Sequence, residues 1–283
     1  MAHDITVVKC GGSPLIDRAA LCADIAAVTR AGHRVVLVHG GAAEVDTLAA
    51  QLGVPQRRLT TPRGTSSRYT DPATLDVLTM ALTGRIKPEL VAALAGHGVR
   101  AAGLTGLDGA LIRARRPAAH RAVIDGRTVV VRDDRSGRID HVEPTVLRIL
   151  LAHGIVPVVS PPALDADGGP VNVDADRAAA ALAVALGAGR LVLLTGAPGV
   201  LTDPADETTV LPAADVDADG RSHLPGVGGG MTVKLAAAHT ALTGGVGSVR
   251  IADGRRSAPL TAALAGSGTA VRIAARPQHL VEI

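Results

Sequence analysis

Short β-branched runs alternate with Ala/Leu-rich stretches of helical period along nearly the whole chain, and this alternation constrains the fold more than any other feature. "DITVVKC" (4–10) reads as a strand and "RAALCADIAAVTRAG" (18–32) as a helix ended by Gly32. "HRVVLVHG" (33–40) is the next strand and "AEVDTLAAQLG" (43–53) the next helix. The same rhythm returns in "RAAGLTG", "PTVLRILLAHG", "IVPVVSP", "DADRAAAALAVALG", "RLVLLTG", "MTVKLAAAHTALTGG", "SVRIAD", "APLTAALAG" and "TAVRIA". Alternation of this kind predicts an α/β protein, a three-layer αβα sandwich with an open, mainly parallel central sheet. Crossovers in such a sheet are right-handed, and ligands bind beyond the carboxyl ends of the strands.

Local punctuation adds detail. Asp71-Pro72 opens a long helix over 71–98, with aspartate as N-cap and proline at the first position, and Pro88 inside it predicts a kink or break. Between Ala110 and Asp133 two extended runs flank Asp125-Gly126, a hairpin signal. "LDADGGPVNV" (164–173) reads as a second hairpin. The stretch 197–228 reads as a long polar loop, and "RLVLLTG" opens a second lobe, dividing the chain into 1–187 and 188–283.

Composition narrows the function. The 283 residues contain no Phe, no Trp and one tyrosine, Tyr69. Stacking platforms for single-stranded nucleic acid are therefore excluded, and an adenine ring would have to sit between aliphatic side chains and backbone. A net charge of +3 is too mild to argue for nucleic acid. No apolar run approaches the ~20 residues of a membrane span, and the N-terminus carries no basic region followed by a cleavage site. Two cysteines, Cys10 and Cys22, make no disulfide framework, so the expected compartment is the reducing cytoplasm. The ten histidines show no metal-ligand spacing, and no metal site is expected.

Against that background the lysines stand out. Of 29 basic residues only three are lysine, namely Lys9, Lys87 and Lys234. A chain that uses arginine wherever a generic positive charge will do keeps lysine for its chemistry. Lys9 precedes the pair Gly11-Gly12 at the end of the first strand. A second pair, Gly40-Gly41, follows the second strand, and Gly226, Gly228, Gly229 and Gly230 precede the helix that carries Lys234. Glycine lets backbone N–H groups approach an anion, and a helix N-terminus adds a favourable dipole. Neither GxxxxGK[ST] nor GxGxxG after a strand is present, which argues against a P-loop and a dinucleotide site. Asn172, Asp174 and Asp176 stand at or just before a helix start, where one aspartate caps and capping does not need all three polar side chains.

These segments together resemble the amino acid kinase family, most closely its acetylglutamate-kinase branch, over essentially the whole chain. "KCGGS" is similar to the family's K-x-G-G, and "VVLVHGGAAEVD" to its V-H-G-G-G segment with Ala42 in place of the third glycine. "NVDAD" is similar to N-x-N/D-A-D, and "GVGGGMTVKLAAA" to G-x-G-G-M-x-x-K. "SRYTDPATLDVLTMALTGRI", "GLTGLDG" and "VVVRDDRSGRI" look like the kinases that act on an amino acid tethered to a small acidic amino-group carrier protein of the LysW type. Kinases for free metabolites usually have G-L/M-R-V-T where this chain reads "TSSRYTD". Two departures are visible: Gly196 where the family often has aspartate, and Lys87-Pro88 where it has Asn-Lys.

The resemblance implies γ-phosphoryl transfer from ATP, with Mg²⁺, to a side-chain carboxylate, giving an acyl phosphate. A carboxylate with a pKa near 4.3 is already ionised at neutral pH, so no general base is required. By resemblance Lys9 and Lys234 flank the phosphoryl group and Asp176 orients them. Arg68 and Asn172 hold the acceptor with Gly40 and Gly41. Gly11, Gly12, Thr195, Gly199, Gly228, Gly229 and Gly230 serve the nucleotide, residues 1–187 forming the acceptor lobe and 188–283 the nucleotide lobe. The resemblance also implies a homodimer joined through the helix at 71–97. Tyr69 is expected to pack locally. Arg113, Arg115 and Arg116, with Arg121, Arg127 and Arg132, form a basic cluster expected to dock an acidic carrier, diluted by Asp125, Asp133 and Asp134. Phosphorylation of free N-acetylglutamate is the alternative, and a catalytically silent nucleotide-binding regulator a further one.

Overall fold

The computed structural model describes residues 4–60, 66–124, 127–222, 224 and 227–274. The first half runs β1 (Ile5–Cys10), α1 (Arg18–Arg30), β2 (Arg34–His39), α2 (Ala42–Gln51), β3 (Arg58–Thr60), β4 (Ser66–Arg68), α3 (Pro72–Thr79), α4 (Lys87–Gly96) and β5 (Ala101–Gly106). Then come β6 (Ile112–Arg115), β7 (His120–Ile124), β8 (Arg127–Val131), β9 (Arg138–Val142), α5 (Thr145–Ala152), β10 (Val156–Asp165) and β11 (Pro170–Val171). The chain closes with α6 (Ala175–Leu186), β12 (Arg190–Thr195), β13 (Ala213–Val216), α7 (Gly229–Thr243), β14 (Ser248–Asp253), α8 (Pro259–Leu264) and β15 (Thr269–Ile273).

The main sheet has the order β13-β15-β14-β12-β1-β2-β10-β6-β9, with β5 and β11 also pairing with β10. Its centre, β14-β12-β1-β2-β10, is parallel throughout. Antiparallel pairs appear only toward the margins, β14 with β15, β6 with β9 and β10 with β11. The expected αβα sandwich is present. Every residue of β1 is buried, as a strand covered on both faces requires. Val7, Val36 and Val38 face a core built with α5, α6 and α7, while Val8, Cys10 and Leu37 face a second core built with α1, α3, α4 and α8. With no Phe or Trp to fill space, alanines 178, 179, 180 and 183 let α6 lie close against β1 and α7.

Three details differ from the expectations. The helix over 71–98 starts as read, Asp71 accepting a hydrogen bond from the Thr74 amide at 2.8 Å. Pro88 does not break it. Residues Met80–Ile86 form a π-helical stretch in which the Lys87 amide reaches Leu82 O, and this widening makes room for the proline ring before α4 continues. The first hairpin is β7–β8, its Asp125-Gly126 turn falling outside the described residues, whereas β6 leaves it for the main sheet and pairs with β10 and β9. With β3 and β4 this hairpin makes a separate four-stranded antiparallel sheet around Leu59, Tyr69, Ala122 and Val131. Tyr69 packs there as expected, its hydroxyl donating to Asp133 and its ring stacked 4.4 Å from the Arg57 guanidinium. Finally, the stretch 197–228 is no plain loop, for it contains β13, paired in parallel with β15.

Candidate active site

Strand alternation decides where Lys9 points. Two residues beyond Val7, it faces the α6–α7 side at the carboxyl end of β1, and it is buried. On that side α6 begins at its N-cap Asp174, whose carboxylate accepts from the Arg177 amide at 2.9 Å. This leaves Asp176, in the first turn, free to turn inward, where its charge also complements the helix dipole. Lys9 Nζ lies 2.9 Å from Asp176 Oδ1, and Lys234 Nζ donates to Asp176 Oδ2 at 3.0 Å from the second turn of α7. The contact with Lys9 is a buried ion pair.

Burial opposes both charges, and each partner reverses that. Burial pushes the Asp176 carboxyl up, but Lys9 and Lys234 together hold it below the usual carboxylate range. Burial likewise pulls Lys9 down, and Asp176 more than offsets it, so Lys9 stays protonated. Two ammonium groups, that of Lys9 buried and that of Lys234 half-buried, are thus fixed around one carboxylate, with the Asp174 carboxylate also acting on Lys9; fixed charge of this kind is suited to stabilising an anion.

The glycine pairs surround this triad. A methyl on Gly12 would lie 2.6 Å from the Ala42 amide nitrogen, so the loop after β1 touches the first residue of α2 backbone to backbone. A methyl on Gly40 would meet Ala175 Cβ at 3.6 Å, bringing the loop after β2 against the start of α6. Gly41 sits over Ile86 and Leu82 of the π-helical stretch, with no room for a side chain. Gly228 caps α7, Gly229 has φ of +53°, and no neighbouring atom among the described residues would meet a side chain at Gly228, Gly229 or Gly230. Gly226 lies outside the described residues. Thr195 ends β12, where its carbonyl accepts from the Gly254 amide at 2.8 Å. Gly199 has a packing reason of its own, since Thr269 Oγ1 comes within 2.5 Å of where its methyl would be.

Arg68 and Asn172 are held by other contacts. Arg68 reaches the start of α2 through Nη2 to Ala42 O at 3.4 Å, while Nη1 pairs with Asp46 at 2.7 Å and also donates to Gln56. Asn172 donates to Thr70 Oγ1 at 3.2 Å, and Ser136 Oγ donates to the same hydroxyl at 3.1 Å. Asp46, Gln56, Thr70 and Ser136 were not singled out from sequence; Thr70 follows Arg68 within "SRYTD" and was the one detectable there. Neither His39 nor Cys10, both near the triad, is suited to act as a base. Burial lowers His39 to about 3 and pushes Cys10 up to about 11.

The basic cluster is less free than its sequence suggests. Arg115 pairs with Asp140 at 3.0 Å and Arg116 with the buried Asp165 at 3.1 Å. Arg113 is exposed on β6 with no ion pair among the described residues.

Residues 4–253 match the model of the amino acid kinase family. The chain belongs to the amino acid kinase family. A LysW-aminoadipate kinase of Deinococcus radiodurans is 42% identical over 95% of this chain and 91% of its own length. An acetylglutamate kinase of Acidothermus cellulolyticus is 40% identical over 88% of this chain and 83% of its own. Among solved structures of the fold, the N-acetylglutamate synthase of Neisseria gonorrhoeae, complexed with coenzyme A and N-acetyl-glutamate, superposes with a TM-score of 0.73 at 30% identity. That superposition covers 96% of this chain and 60% of the other. Within the family fold the chain is a phosphotransferase for a carboxyl acceptor, and no described helix is long and apolar enough to cross a membrane.

Proposed function

We propose that this amino acid kinase transfers the γ-phosphoryl group of ATP to the side-chain carboxylate of 2-aminoadipate or glutamate carried on a small acidic amino-group carrier protein. The observation that carries the reading is the Lys9–Asp176–Lys234 triad, one buried and one half-buried cation held around a buried carboxylate near the glycine-lined loops. Backbone donors at Gly11, Gly12 and Gly41 and the N-terminus of α7 receive the phosphates, the Gly40 amide being engaged by Cys10 O. Lys9 and Lys234 neutralise charge on the transferring group, and Asp176 keeps them apart at a set spacing. The acceptor carboxylate attacks already ionised, so the site needs position and charge rather than a base. Both oxygens of Asp176 are engaged by lysines, so Mg²⁺ accompanying the nucleotide would add charge neutralisation at the phosphates without being held by this carboxylate.

An aliphatic cavity of about 350 Å³, lined by Pro198, Val210, Leu211 and Ala252 beside Gly199, suits an adenine ring in a chain without Phe or Trp. Residues 188–283 thus act as the nucleotide lobe and 1–187 as the acceptor lobe. There Arg68, oriented by Asp46 and Gln56, takes the acceptor's second carboxylate with Asn172. A homodimer through 71–97 fits the 47% exposure of Met80 there.

The carrier-linked acceptor is favoured by likeness to the Deinococcus kinase at 42% identity and by "SRYTD" at the acceptor rim. The 40% identity to an acetylglutamate kinase supports free N-acetylglutamate as the second reading. The test offers ATP with carrier-linked aminoadipate, carrier-linked glutamate or N-acetylglutamate and traps the acyl phosphate with hydroxylamine. Hydroxamate from a carrier-linked form supports the proposal, and efficient turnover of N-acetylglutamate alone replaces it with the second reading.

A further inference from the structure

Thr70 lies fully buried between β4 and the start of α3, and every polar group it carries is used. Its amide donates to Asp134 Oδ1 at 3.2 Å, and its carbonyl accepts from the Arg135 amide at 2.6 Å. Its hydroxyl oxygen accepts from Asn172 Nδ2 at 3.2 Å and from Ser136 Oγ at 3.1 Å, while its own hydrogen is directed to Arg68 O at 3.5 Å. A hydroxyl has one hydrogen to donate and two lone pairs to accept with, so this one is saturated.

These partners come from three distant parts of the chain. Arg68 ends β4, residues 134–136 follow β8, and Asn172 leads from β11 into α6. Further bonds close the knot. Asp134 Oδ1 also accepts from the Ser136 amide at 3.2 Å. The Asn172 amide nitrogen donates to Arg135 O at 2.7 Å, and the Gly137 amide donates to Asn172 O at 2.8 Å. The Asn172 backbone is thus fixed without help from Thr70, and what the Thr70 hydroxyl adds is a hold on the Asn172 side chain. Among the described residues it is the one partner of that side chain, whose Oδ1 and second Nδ2 hydrogen stay unspent. A valine would fill the same space, and a buried hydroxyl is costly unless bonded, so packing alone does not call for threonine here.

We propose that Thr70 is a positioning residue for the acceptor, its hydroxyl fixing the Asn172 amide in one orientation at a set distance from Arg68, a role that rests on the reading of Arg68 and Asn172 as acceptor contacts. An amide held in this way offers its remaining N–H and its carbonyl from constant places. Without the hydroxyl the amide turns among rotamers, and binding must order it, which weakens affinity for the acceptor. No hydrogen bond of the knot involves Lys9, Lys234 or α7, so ATP binding and the transfer step are left alone.

The test compares Thr70→Val, which removes the hydroxyl, with Thr70→Ser, which keeps it, in the full chain. The acceptor is carrier-linked aminoadipate, or N-acetylglutamate if that is the form turned over in the hydroxamate assay. Thr70→Val is expected to raise KM for the acceptor about five- to tenfold, as loss of a neutral hydrogen bond does, with kcat and KM for ATP nearly unchanged. Thr70→Ser should bring KM back close to the wild-type value. In a double-mutant cycle Thr70→Val should add little to Asn172→Ala, because both remove one interaction. A KM unmoved by Thr70→Val but raised by Asn172→Ala, or effects of the two that simply add, would overturn the positioning role. Equal losses in every kinetic parameter from both Thr70 variants would mark a purely structural residue and overturn it too. If Asn172→Ala leaves KM unchanged for every acceptor, the acceptor reading fails and the positioning role falls with it. Nuclear magnetic relaxation of the wild-type Asn172 side-chain amide, assigned by its loss in Asn172→Ala, decides the matter even if Thr70→Val does not fold. A fixed amide has an order parameter of about 0.85, and a value below about 0.6 would overturn the proposal.

Discussion

Replacing Lys9 or Lys234 with alanine takes one fixed charge from the triad while Asp176 keeps the other as partner. The fold should survive, and kcat should fall by ~100-fold or more, since one preorganised charge at a phosphoryl clamp contributes on the order of 3–4 kcal/mol. Steady-state kinetics on soluble variants with unchanged circular dichroism checks this; near-wild-type turnover contradicts it. The third lysine has the opposite character. Lys87 is buried with its stem against Gly103, and burial lowers it to about 8, only partly offset by Asp108. Its folded pKa lies below its unfolded value, so at neutral pH the unfolded state holds that proton more firmly and Lys87 weakens the fold. The penalty is full below about pH 8 and disappears as pH rises toward the unfolded value near 10.4. Lys87→Met should therefore be more stable than wild type in denaturant titrations at pH 7, with the difference shrinking between pH 8 and 10. The lysine count pointed to Lys9 and Lys234, whose neighbours in sequence are glycines. It marked Lys87 as well, and the Lys87-Pro88 departure did too, but neither showed its burial, which comes from α4 folding over β5. Arg116 shows the converse, a residue read as docking surface that holds a buried aspartate 49 positions away.

Elements were legible where local period and packing agree. β1 and β2 are β-branched runs buried on both faces, β12 is a buried leucine-rich run, and α6 and α7 are alanine-rich helices bounded by a capping aspartate and by glycines. The sequence Ala213–Val216 has no such run. It becomes β13 because β15 offers a free edge, the Ala270 amide donating to Pro212 O at 3.0 Å. The π-helical stretch before Pro88 was equally hidden, since the sequence indicates that a helix must yield at a proline but not how. Where elements meet most closely, glycine decides. Gly12→Ala should destabilise the protein and depress activity together, because the Cβ would press on the backbone of Ala42, which cannot rotate away. Thermal unfolding and kinetics test this; an unchanged midpoint and unchanged kcat would refute the contact.

Across the whole molecule, parallel order at the centre of the sheet aligns the carboxyl ends of β1, β2, β10, β12 and β14 on one rim. Residues separated by the full length of the chain meet there, and this explains why fold and site were legible together while the pairing partners of Arg68, Arg115 and Arg116 were not. Carrier docking belongs to this scale as well. With Arg115 and Arg116 paired internally, Arg113 is left as the member of the three without an ion pair among the described residues. Arg113→Ala should raise KM for a carrier-linked acceptor and reduce its salt dependence while leaving KM for ATP unchanged. An equal effect on both substrates would remove Arg113 from the docking surface.

The central claim is direct attack of an acceptor carboxylate oxygen on the γ-phosphorus, and oxygen labelling tests it most directly. The acceptor's side-chain carboxylate is enriched in ¹⁸O, turned over with ATP and quenched with hydroxylamine, which cleaves the acyl phosphate at its carbonyl carbon. The released phosphate is then analysed by mass spectrometry. Direct attack predicts one ¹⁸O in the phosphate for each hydroxamate formed, at the enrichment of the acceptor. Unlabelled phosphate, released without matching hydroxamate, would mean that water rather than a carboxylate receives the phosphoryl group, and would contradict the account.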